Sequence, residues 1–555
     1  MDTQRVLLAV VLSFAILMGY QYFFVPPAVE PPAQTGEATP SPATDNAAPA
    51  AVSTPPAAVP AAPATIPENS AAIQTRPGRD IPVETNLFAA VLTENGGGVK
   101  SFRLKKYQES MAADSGFKEL VKTENAPELP LFFSWGVEPG QAEVPVFTAD
   151  AAVITTRGPA DQASLTMRAT LASGLEITRV LSVDAENYLI RLTIDVHNIG
   201  ALPLQGAPYL GLTNLPFSAD EAKQSILFAG PAVLVNDSLQ EIKPADLLKE
   251  KKTVAGQIDW AAYEGNYFMC GILPANKDKT SVLLSAVGDK VSTVLAGEVD
   301  VLQPQAQKQY AYSVYFGPKK VSILKEAGGN LERIVNFGWF DKMARPVLYL
   351  LNFLYKYVHN YGVAIILVTV LIKMILWPVA QKGMKSMKNM QAIQPKIAKV
   401  REKYKDDPNR MNQEMMNLYK TYKINPFGGC LPMILQIPVF FALYKVLLQA
   451  IELRHAPFML WITDLSAPDR LWVGLNLPYL GGIPILTLLM GASMFLQQKL
   501  SPAPADPTQA KVMMFLPLIF TFMFVNFASG LVLYWFVNNL LSIAQQYLIN
   551  RSTQT

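Results

Sequence analysis

Charged residues are scarce in this chain of 555 residues: they make up 16% of it, against roughly 25% in an ordinary soluble domain. Half of the residues are hydrophobic. The formal net charge of +3 is too balanced to indicate a nucleic-acid-binding protein, so no DNA partner is expected. A membrane protein with a large water-soluble part fits this composition.

Cysteine and histidine are also rare. The two cysteines, Cys270 and Cys430, exclude a disulfide-stabilised scaffold, and three histidines in separate regions argue against a histidine-rich metal site. The chain has no Walker-type phosphate loop, and residues 80–320 show no Ser/His/Asp set and no carboxylate pair at a defined spacing. We therefore expect no cofactor, no metal site and no enzymatic activity.

Long apolar runs predict membrane-spanning helices. The first, residues 6–25, is about 30 Å long as a helix and matches the hydrocarbon core of a bilayer. A cleaved signal peptide is the alternative. The run ends in aromatic residues and prolines and lacks a small-residue cleavage site, so we favour a retained anchor over residues 1–25. Five further spans are predicted at 361–379, 431–451, 483–498, 512–527 and 531–548.

The distribution of positive charge predicts the direction of these spans. Segment 381–425 carries eleven Lys and Arg residues and four acids, a net charge of +7, whereas the loop 451–482 carries two arginines and three acids. The positive-inside rule places segment 381–425 in the cytoplasm. Counting spans from there puts both termini in the cytoplasm and everything from residue 26 to about residue 345 outside.

The outer region has two parts. Residues 26–79 contain thirteen prolines among Ala, Ser and Thr, and such a segment cannot bury enough apolar area to fold, so it predicts a partly extended tether. Residues 80–320 alternate apolar and polar side chains, for example from Tyr188 to His197. This period of two predicts a large antiparallel β domain, most simply a sandwich.

Residues 321–345 show a different periodicity. Leu331, Ile334, Val335 and Trp339 follow helical spacing, which predicts an amphipathic helix at the outer membrane interface before the second span. A packing helix of the β domain is the alternative.

The basic segment 381–425 predicts a hairpin of two helices, in which Pro395 must kink or restart the first helix. Thioether side chains suit surfaces that bind varied apolar partners, and lysines suit RNA phosphates or anionic lipid. The predicted contact residues are Met387, Met390, Lys396, Lys399, Met411 and Met415. The alternatives are methionines that fill the seam between the helices and lysines that are only solvated.

Polar side chains interrupt three of the predicted spans. Lys373 lies about six residues, or ~9 Å, from the cytoplasmic end of its span. A charge at the bilayer centre costs at least ~2.5–3.5 kcal/mol, so Lys373 should face a wet cavity, a partner or the interface, unless it snorkels to the cytoplasmic face. Lone amides in spans often form only interhelical hydrogen bonds. Together, however, these residues predict a hydrophilic groove formed by Lys373, Thr369, Gln436, Tyr534, Trp535 and Asn538.

The longest recognisable motif is Asn-Pro-Phe-Gly-Gly-Cys-Leu-Pro-Met-Ile-Leu-Gln-Ile-Pro-Val-Phe-Phe-Ala-Leu-Tyr at 425–444, and shorter ones occur at 394–397, 413–420, 456–461 and 529–535. In these motifs the chain resembles the YidC-type membrane protein insertases over about residues 330–550. The anchor, tether and β domain are similar in layout to the version of the family in bacteria with two membranes. The chain departs from many members at Lys373, where they have Arg, and at Ala528, where Pro is frequent.

The resemblance implies an insertase core at 346–555, with a groove open to the cytoplasm and the bilayer and closed outward, and a β domain of supersandwich type. It also implies that nascent membrane proteins, the Sec translocon, ribosomes and membrane lipids are partners.

We therefore predict a polytopic α-helical membrane protein with six spans, five of them forming the core, a periplasmic antiparallel β-sandwich domain and a cytoplasmic helical hairpin. Its predicted function is to insert and help fold proteins of the bacterial inner membrane, alone or with the Sec translocon, without nucleotide. A transporter is the main alternative, but it would favour paired intramembrane charges and two related halves. A glycan-binding envelope protein would need only one span.

Overall fold

The structure is a computed structural model that describes residues 78–112, 114–158, 160–218, 227–422, 431–474, 481–500 and 507–552. The predicted anchor, residues 26–77 of the predicted tether and Cys430 lie outside these ranges.

Within the described residues up to 318, twenty-one strands form the β domain. In chain order they are β1 Asp80–Glu84, β2 Phe88–Thr93, β3 Val99–Gln108, β4 Phe117–Glu119, β5 Phe133–Trp135, β6 Thr148–Ala149, β7 Ile154–Thr155, β8 Gln162–Thr170, β9 Leu175–Asp184, β10 Leu189–Asn198, β11 Leu204–Gly206, β12 Pro208–Asn214, β13 Gly230–Val235, β14 Ser238–Glu241, β15 Lys252–Ala255, β16 Ile258–Glu264, β17 Phe268–Pro274, β18 Thr280–Val287, β19 Lys290–Gly297, β20 Asp300–Leu302 and β21 Gln307–Pro318. One short helix, α1 (Pro244–Leu247), lies between β14 and β15.

The largest sheet of the domain has nine strands in the order β14-β13-β16-β17-β21-β10-β9-β8-β6. Two five-stranded sheets accompany it, β4-β3-β2-β1-β7 and β15-β18-β19-β12-β5, and β11 pairs with β20. All of the named pairs are antiparallel except β1 with β7. The predicted antiparallel β domain is therefore present, with four sheets instead of the two of a simple sandwich.

The alternation that predicted these strands corresponds to their burial. Along β9 every second residue is buried, beginning with Leu175, and β10 buries Ile190, Leu192, Ile194 and Val196. Leu192 stands opposite Leu181 on one neighbouring strand and Tyr312 on the other, so the apolar side chains align across the sheet.

The segment after the β domain differs from its prediction. In place of one helix over 321–345, the chain forms α2 (Val321–Ala327), two 3₁₀ turns (Leu331–Ile334 and Gly338–Phe340) and a longer helix, α3 (Asp341–Val358). Gly328, Gly329 and Gly338 have φ values of 79°, 63° and 63°, a backbone conformation that cannot continue a right-handed helix. The prediction of a continuous helix was wrong because it counted the apolar spacing across these glycines.

The remaining helices form a bundle and a hairpin. They are α4 Tyr361–Ala392, α5 Gln394–Lys403, α6 Pro408–Thr421, α7 Leu431–Gln449, α8 Ile485–Leu500, α9 Pro507–Phe524 and α10 Ser529–Ser552. Helix α4 continues past the predicted span into the predicted hairpin, and α5 starts anew with Pro395 in its first turn, as expected for proline at that position. Helices α5 and α6 pack against each other.

Among the described residues, α4 alone has both the length and the apolar composition to cross a membrane. Helices α7 and α9 contain shorter apolar stretches, Leu435–Gln449 and Met513–Phe524. These helices do not by themselves establish the predicted six spans.

Candidate functional site

A cavity lies between α4, α7 and α10, with about 440 Å³ of space not filled by protein atoms, part of it open to solvent. Its wall includes five of the six predicted groove residues. The lining side chains are Thr369, Ile372, Lys373, Leu376, Val379, Ala380, Leu435, Gln436, Val439, Tyr534 and Asn538. Helical spacing explains this convergence, because Thr369 and Lys373 are one turn apart on α4 and Tyr534 and Asn538 are one turn apart on α10.

Lys373 is the charged group of this cavity. Its Nζ atom donates to Ser542 Oγ at 2.7 Å and to Asn538 Oδ1 at 3.2 Å, both on α10. Both acceptors are neutral, and no ion pair of Lys373 occurs within the described part of the chain. An ammonium group has three N–H donors, so one remains beyond these two bonds. The cavity therefore presents a net positive charge without a protein counterion among the described residues.

Ser542 is a site residue that the six predicted groove residues do not include. Its side chain is buried, and its hydroxyl donates to the backbone carbonyl oxygen of Asn538 at 2.8 Å. Its position four residues after Asn538 is the signal that would have identified it, since residues i and i+4 share a helix face.

Trp535 was predicted in the groove, but the structure places it elsewhere. Its ring packs against Phe440, Phe520 and Phe524, with ring centroids 4.7, 5.8 and 4.9 Å away. Successive residues of a helix are rotated by about 100° around its axis, so Tyr534 and Trp535 lie on different sides of α10. Trp535 therefore belongs to an aromatic cluster between α7, α9 and α10.

A second polar contact lies behind the cavity, between α10 and α8. Asn539 Nδ2 donates to Ser493 Oγ at 3.0 Å, and both side chains are buried. Ser493 in turn donates to the backbone carbonyl oxygen of Met490 at 2.6 Å. Helix α10 is thus polar towards α8 as well as towards α4, and such bonds hold helices together where water is excluded.

None of the predicted hairpin residues lines the Lys373 cavity. Met387, Met390, Met411 and Met415 are half-buried, whereas Met416 is 53% exposed. Half burial fits the alternative in which methionines fill the seam between the helices.

The two predicted hairpin lysines, Lys396 and Lys399, are exposed. Lys396 donates to the hydroxyl of Tyr422 and lies 4.2 Å from the centroid of its ring. This contact joins α5 to the residue that follows α6.

The end of the bundle opposite the hairpin is covered by the loop that follows α7. Ser529 N donates to Ala467 O at 2.8 Å and Gly530 N donates to Leu465 O at 2.9 Å. The buried Asp469 carboxylate accepts from Trp461 Nε1 and from Leu486 N, each at 2.5 Å. Because Leu486 lies in the first turn of α8, Asp469 caps that helix. The loop is therefore tied to the beginnings of both α8 and α10.

A large β domain followed by an apolar helical bundle, with a lysine in a cavity between three of its helices, is the arrangement expected of a membrane protein that carries a water-soluble domain. Residues 80–350 match the family model described as the YidC periplasmic domain, and residues 353–555 match the one described as the 60Kd inner membrane protein. The membrane protein insertase YidC of Syntrophus aciditrophicus is 42% identical over 557 residues, which cover 99% of each chain. The insertase YidC of Geotalea daltonii is 38% identical over 557 residues, again 99% of each chain.

The chain therefore belongs to the YidC family of membrane protein insertases, and the family that the motifs predicted is confirmed. A solved structure of an active YidC insertase with its first transmembrane domain resolved is 19% identical. It covers 85% of this chain and 93% of the solved chain, with a TM-score of 0.35.

Proposed function

We propose that this chain captures the polar tail or short loop of a substrate helix in the Lys373 cavity and releases the helix into the inner membrane, where it also assists folding. The observation that carries the proposal is the cation itself. Lys373 lies in the wall of the cavity, and both of its hydrogen-bond acceptors are neutral. These two bonds leave one of the three N–H donors of the ammonium group for a substrate. An acidic residue of a substrate tail supplies the missing counterion.

The strength of this capture depends on the surroundings of the charge. Two unit charges 4 Å apart attract by about 1 kcal/mol in bulk water and by about 4 kcal/mol at an effective dielectric constant near 20. Apolar residues of the cavity wall, such as Ile372, Leu376 and Val439, favour the lower dielectric constant and therefore the stronger attraction. Transfer of the substrate helix is driven by burial of its apolar surface, at about 25 cal/mol per Å², so no nucleotide is needed.

The proposed topology has six spans: the anchor at 1–25 and the five helices predicted at 361–379, 431–451, 483–498, 512–527 and 531–548. The tether 26–79 and the β domain 80–320 lie in the periplasm, and the hairpin 381–425 and both termini lie in the cytoplasm. The net charge of +7 in the hairpin supports this direction. A Lys405→Cys variant should resist a membrane-impermeant thiol reagent in cells with an intact inner membrane, and ready labelling from outside would contradict the span count.

The proposed partners follow from the same surfaces. The exposed Lys396 and Lys399 of the hairpin suit the phosphates of a translating ribosome or anionic lipid headgroups. Cooperation with the Sec translocon rests on the family alone.

The function is tested with the purified full-length chain in liposomes, without nucleotide. Two single-span substrates are compared that differ only in their N-terminal tails, one with acidic residues and one with the matching amides. We expect Lys373→Ala to lower insertion of the acidic-tail substrate about tenfold or more, since 1.4 kcal/mol corresponds to a factor of ten, and Lys373→Arg to remain active. The neutral-tail substrate should change little.

Lys445→Ala is the matched control, because Lys445 is a half-buried lysine of α7 that does not line the cavity. It should insert both substrates as the unmodified chain does. A well-expressed Lys373→Glu variant that inserts both substrates as efficiently as the unmodified chain would remove Lys373 from the mechanism.

A further inference from the structure

We infer that Ser542 is a positioning residue for substrate capture: its hydroxyl, together with the Asn538 amide, holds the Lys373 ammonium on the α10 side of the cavity. This inference rests on the proposed function, and it names the residue that makes Lys373 selective for acidic tails.

The direction of each hydrogen bond fixes the role of Ser542. Its single hydroxyl hydrogen is donated to the carbonyl oxygen of Asn538, 2.8 Å away. The lone pairs of Oγ are then available to accept, and Lys373 Nζ lies 2.7 Å from them. Asn538 Oδ1, at 3.2 Å, is the second and longer acceptor. Two of the three ammonium donors are used, and the third is left for a carboxylate.

The chemistry of the two acceptors explains why the site suits an anion. Ser542 and Asn538 hold the ammonium without neutralising it, whereas an Asp or Glu in either position would form an ion pair with Lys373 and compete with the substrate. Ser542 is 7% exposed, so water competes little for its Oγ atom.

Fixing the ammonium matters because the lysine side chain is long and flexible. Lys373 lies about 9 Å along α4 from the predicted cytoplasmic end of the span, close enough for an unanchored ammonium group to turn towards that interface. There its attraction for an acidic tail would be weakened by water and by salt. The bonds from α10 hold the charge between α4 and α10, where the apolar wall preserves the attraction.

The test is the insertion ratio of the acidic-tail substrate to the neutral-tail substrate, measured with the full-length chain in liposomes. This ratio cancels a general loss of folding or expression. Ser542→Ala should lower the ratio about fivefold to tenfold, because one hydrogen bond to a charged group is lost. Ser542→Thr retains the hydroxyl and should restore the ratio.

Ser493→Ala is the matched control. Ser493 is also a buried serine of the bundle with its hydroxyl bonded to its own helix, but its second bond is to Asn539 and not to Lys373. Its substitution should leave the ratio unchanged. The double variant Lys373→Ala/Ser542→Ala should equal Lys373→Ala, because Ser542 acts through the ammonium.

The outcomes separate the two proposals. If Lys373→Ala abolishes the tail preference but Ser542→Ala leaves it unchanged or raises it, the positioning role is overturned and the proposed function stands. If Lys373→Ala itself leaves the preference intact, the proposed function fails. A double variant that loses more than Lys373→Ala also overturns the positioning role. If Ser542→Ala does not assemble, Asn538→Ala provides the test, because it removes the other acceptor of the ammonium group. We expect Asn538→Ala to lower the ratio, and an unchanged ratio in that variant would overturn the inference.

Discussion

The Nη2 atom of Arg454 lies 2.7 Å from the carbonyl oxygen of Gln108, a residue 346 positions earlier in the chain. The same nitrogen donates to the carbonyl oxygen of Glu109 at 3.0 Å, and the guanidinium group lies 5.4 Å from the centroid of the Phe268 ring. Gln108 ends β3, whereas Arg454 follows α7. The contact therefore joins the β domain directly to the loop that covers the end of the helical bundle opposite the hairpin.

Arg454→Ala should loosen this junction without stopping insertion, because Arg454 lies outside the Lys373 cavity. The bonds are partly exposed, so we expect a loss of about 1 kcal/mol of local stability. Hydrogen exchange should become roughly fivefold faster in residues 104–109 and 451–456. Arg470→Ala is the control, since Arg470 lies in the same loop but donates to Val525 O and Asn526 Oδ1. Unchanged exchange at both segments in Arg454→Ala would show that the junction is held elsewhere.

The Glu94 carboxylate should make the β domain sensitive to acid. Hydrogen bonds from the Arg79 side chain, at 2.7 Å, and from the backbone N–H groups of Arg79 and Ala149 lower the pKa of Glu94 from 4.5 to about 2. Because the folded pKa is depressed, this contribution to stability is present above pH 4.5 and is lost as the pH falls towards 2.

The measurement for Glu94 is the urea midpoint for proteolytic cleavage of the β domain, recorded in the full-length protein between pH 5 and pH 2.5. Other carboxylates contribute to the acid sensitivity, so Glu94→Gln should make the decline shallower without abolishing it, and it should start from a lower midpoint at pH 5. The exposed Glu186 provides the control variant, Glu186→Gln. If the urea midpoint of Glu94→Gln fell as steeply with pH as that of the unmodified chain, the acid sensitivity would belong to other groups.

Cys270 should be inert towards thiol reagents in the folded protein. It lies in β17, is fully buried, and burial raises the pKa of its thiol well above the usual range. The thiolate is the reactive form, so both access and ionisation are suppressed. In a Cys430→Ser background, a disulfide-exchange reagent should label Cys270 only after unfolding. Rapid, complete labelling under native conditions would show that the β17 region opens readily.

The sequence predicted the strands of the β domain because a strand with one buried face must alternate apolar and polar side chains. The pattern from Leu189 to Asn198 corresponds to β10 because one of its faces packs in the core. The number of sheets could not be read from this pattern, because alternation reports the burial of a strand and not its neighbours. The parallel pairing of β1 with β7, for example, joins residues about 70 positions apart.

The candidate site was likewise predictable along each helix but not between helices. Spacing along one helix placed Thr369 next to Lys373, and Tyr534 next to Asn538. It did not reveal that Lys373 bonds to Asn538 and Ser542, since those contacts depend on how α4 and α10 pack together. It also placed Trp535 in the groove, because a sequence pattern shows that a residue is near a polar face but not which neighbouring helix it meets.

Gly362 should be essential for the close contact between α4 and the loop that follows α7. A Cβ atom at this position would lie 2.0 Å from Cδ2 of Phe458 and 2.8 Å from its Cβ atom. Phe458 cannot simply move away, because its carbonyl oxygen accepts from Asn360 Nδ2 at 2.8 Å. Glycine is about 1 kcal/mol worse than alanine in a helix interior, and Gly362 lies in the first turn of α4, so Gly362→Ala would ordinarily stabilise the protein by less than that. Here overpacking should reverse the sign and cost about 1–3 kcal/mol.

Thermal unfolding of the detergent-solubilised protein measures this effect, with a lower midpoint expected for Gly362→Ala. The control is the pair of variants Phe458→Ala and Gly362→Ala/Phe458→Ala. Removing the ring takes away most of the clash, so the added methyl group should cost much less in the Phe458→Ala background, and in that background the helix preference for alanine can show. A midpoint for Gly362→Ala at or above that of the unmodified chain would mean that the loop yields to the methyl group. In that case the close approach of Phe458 to α4 does not depend on glycine at position 362.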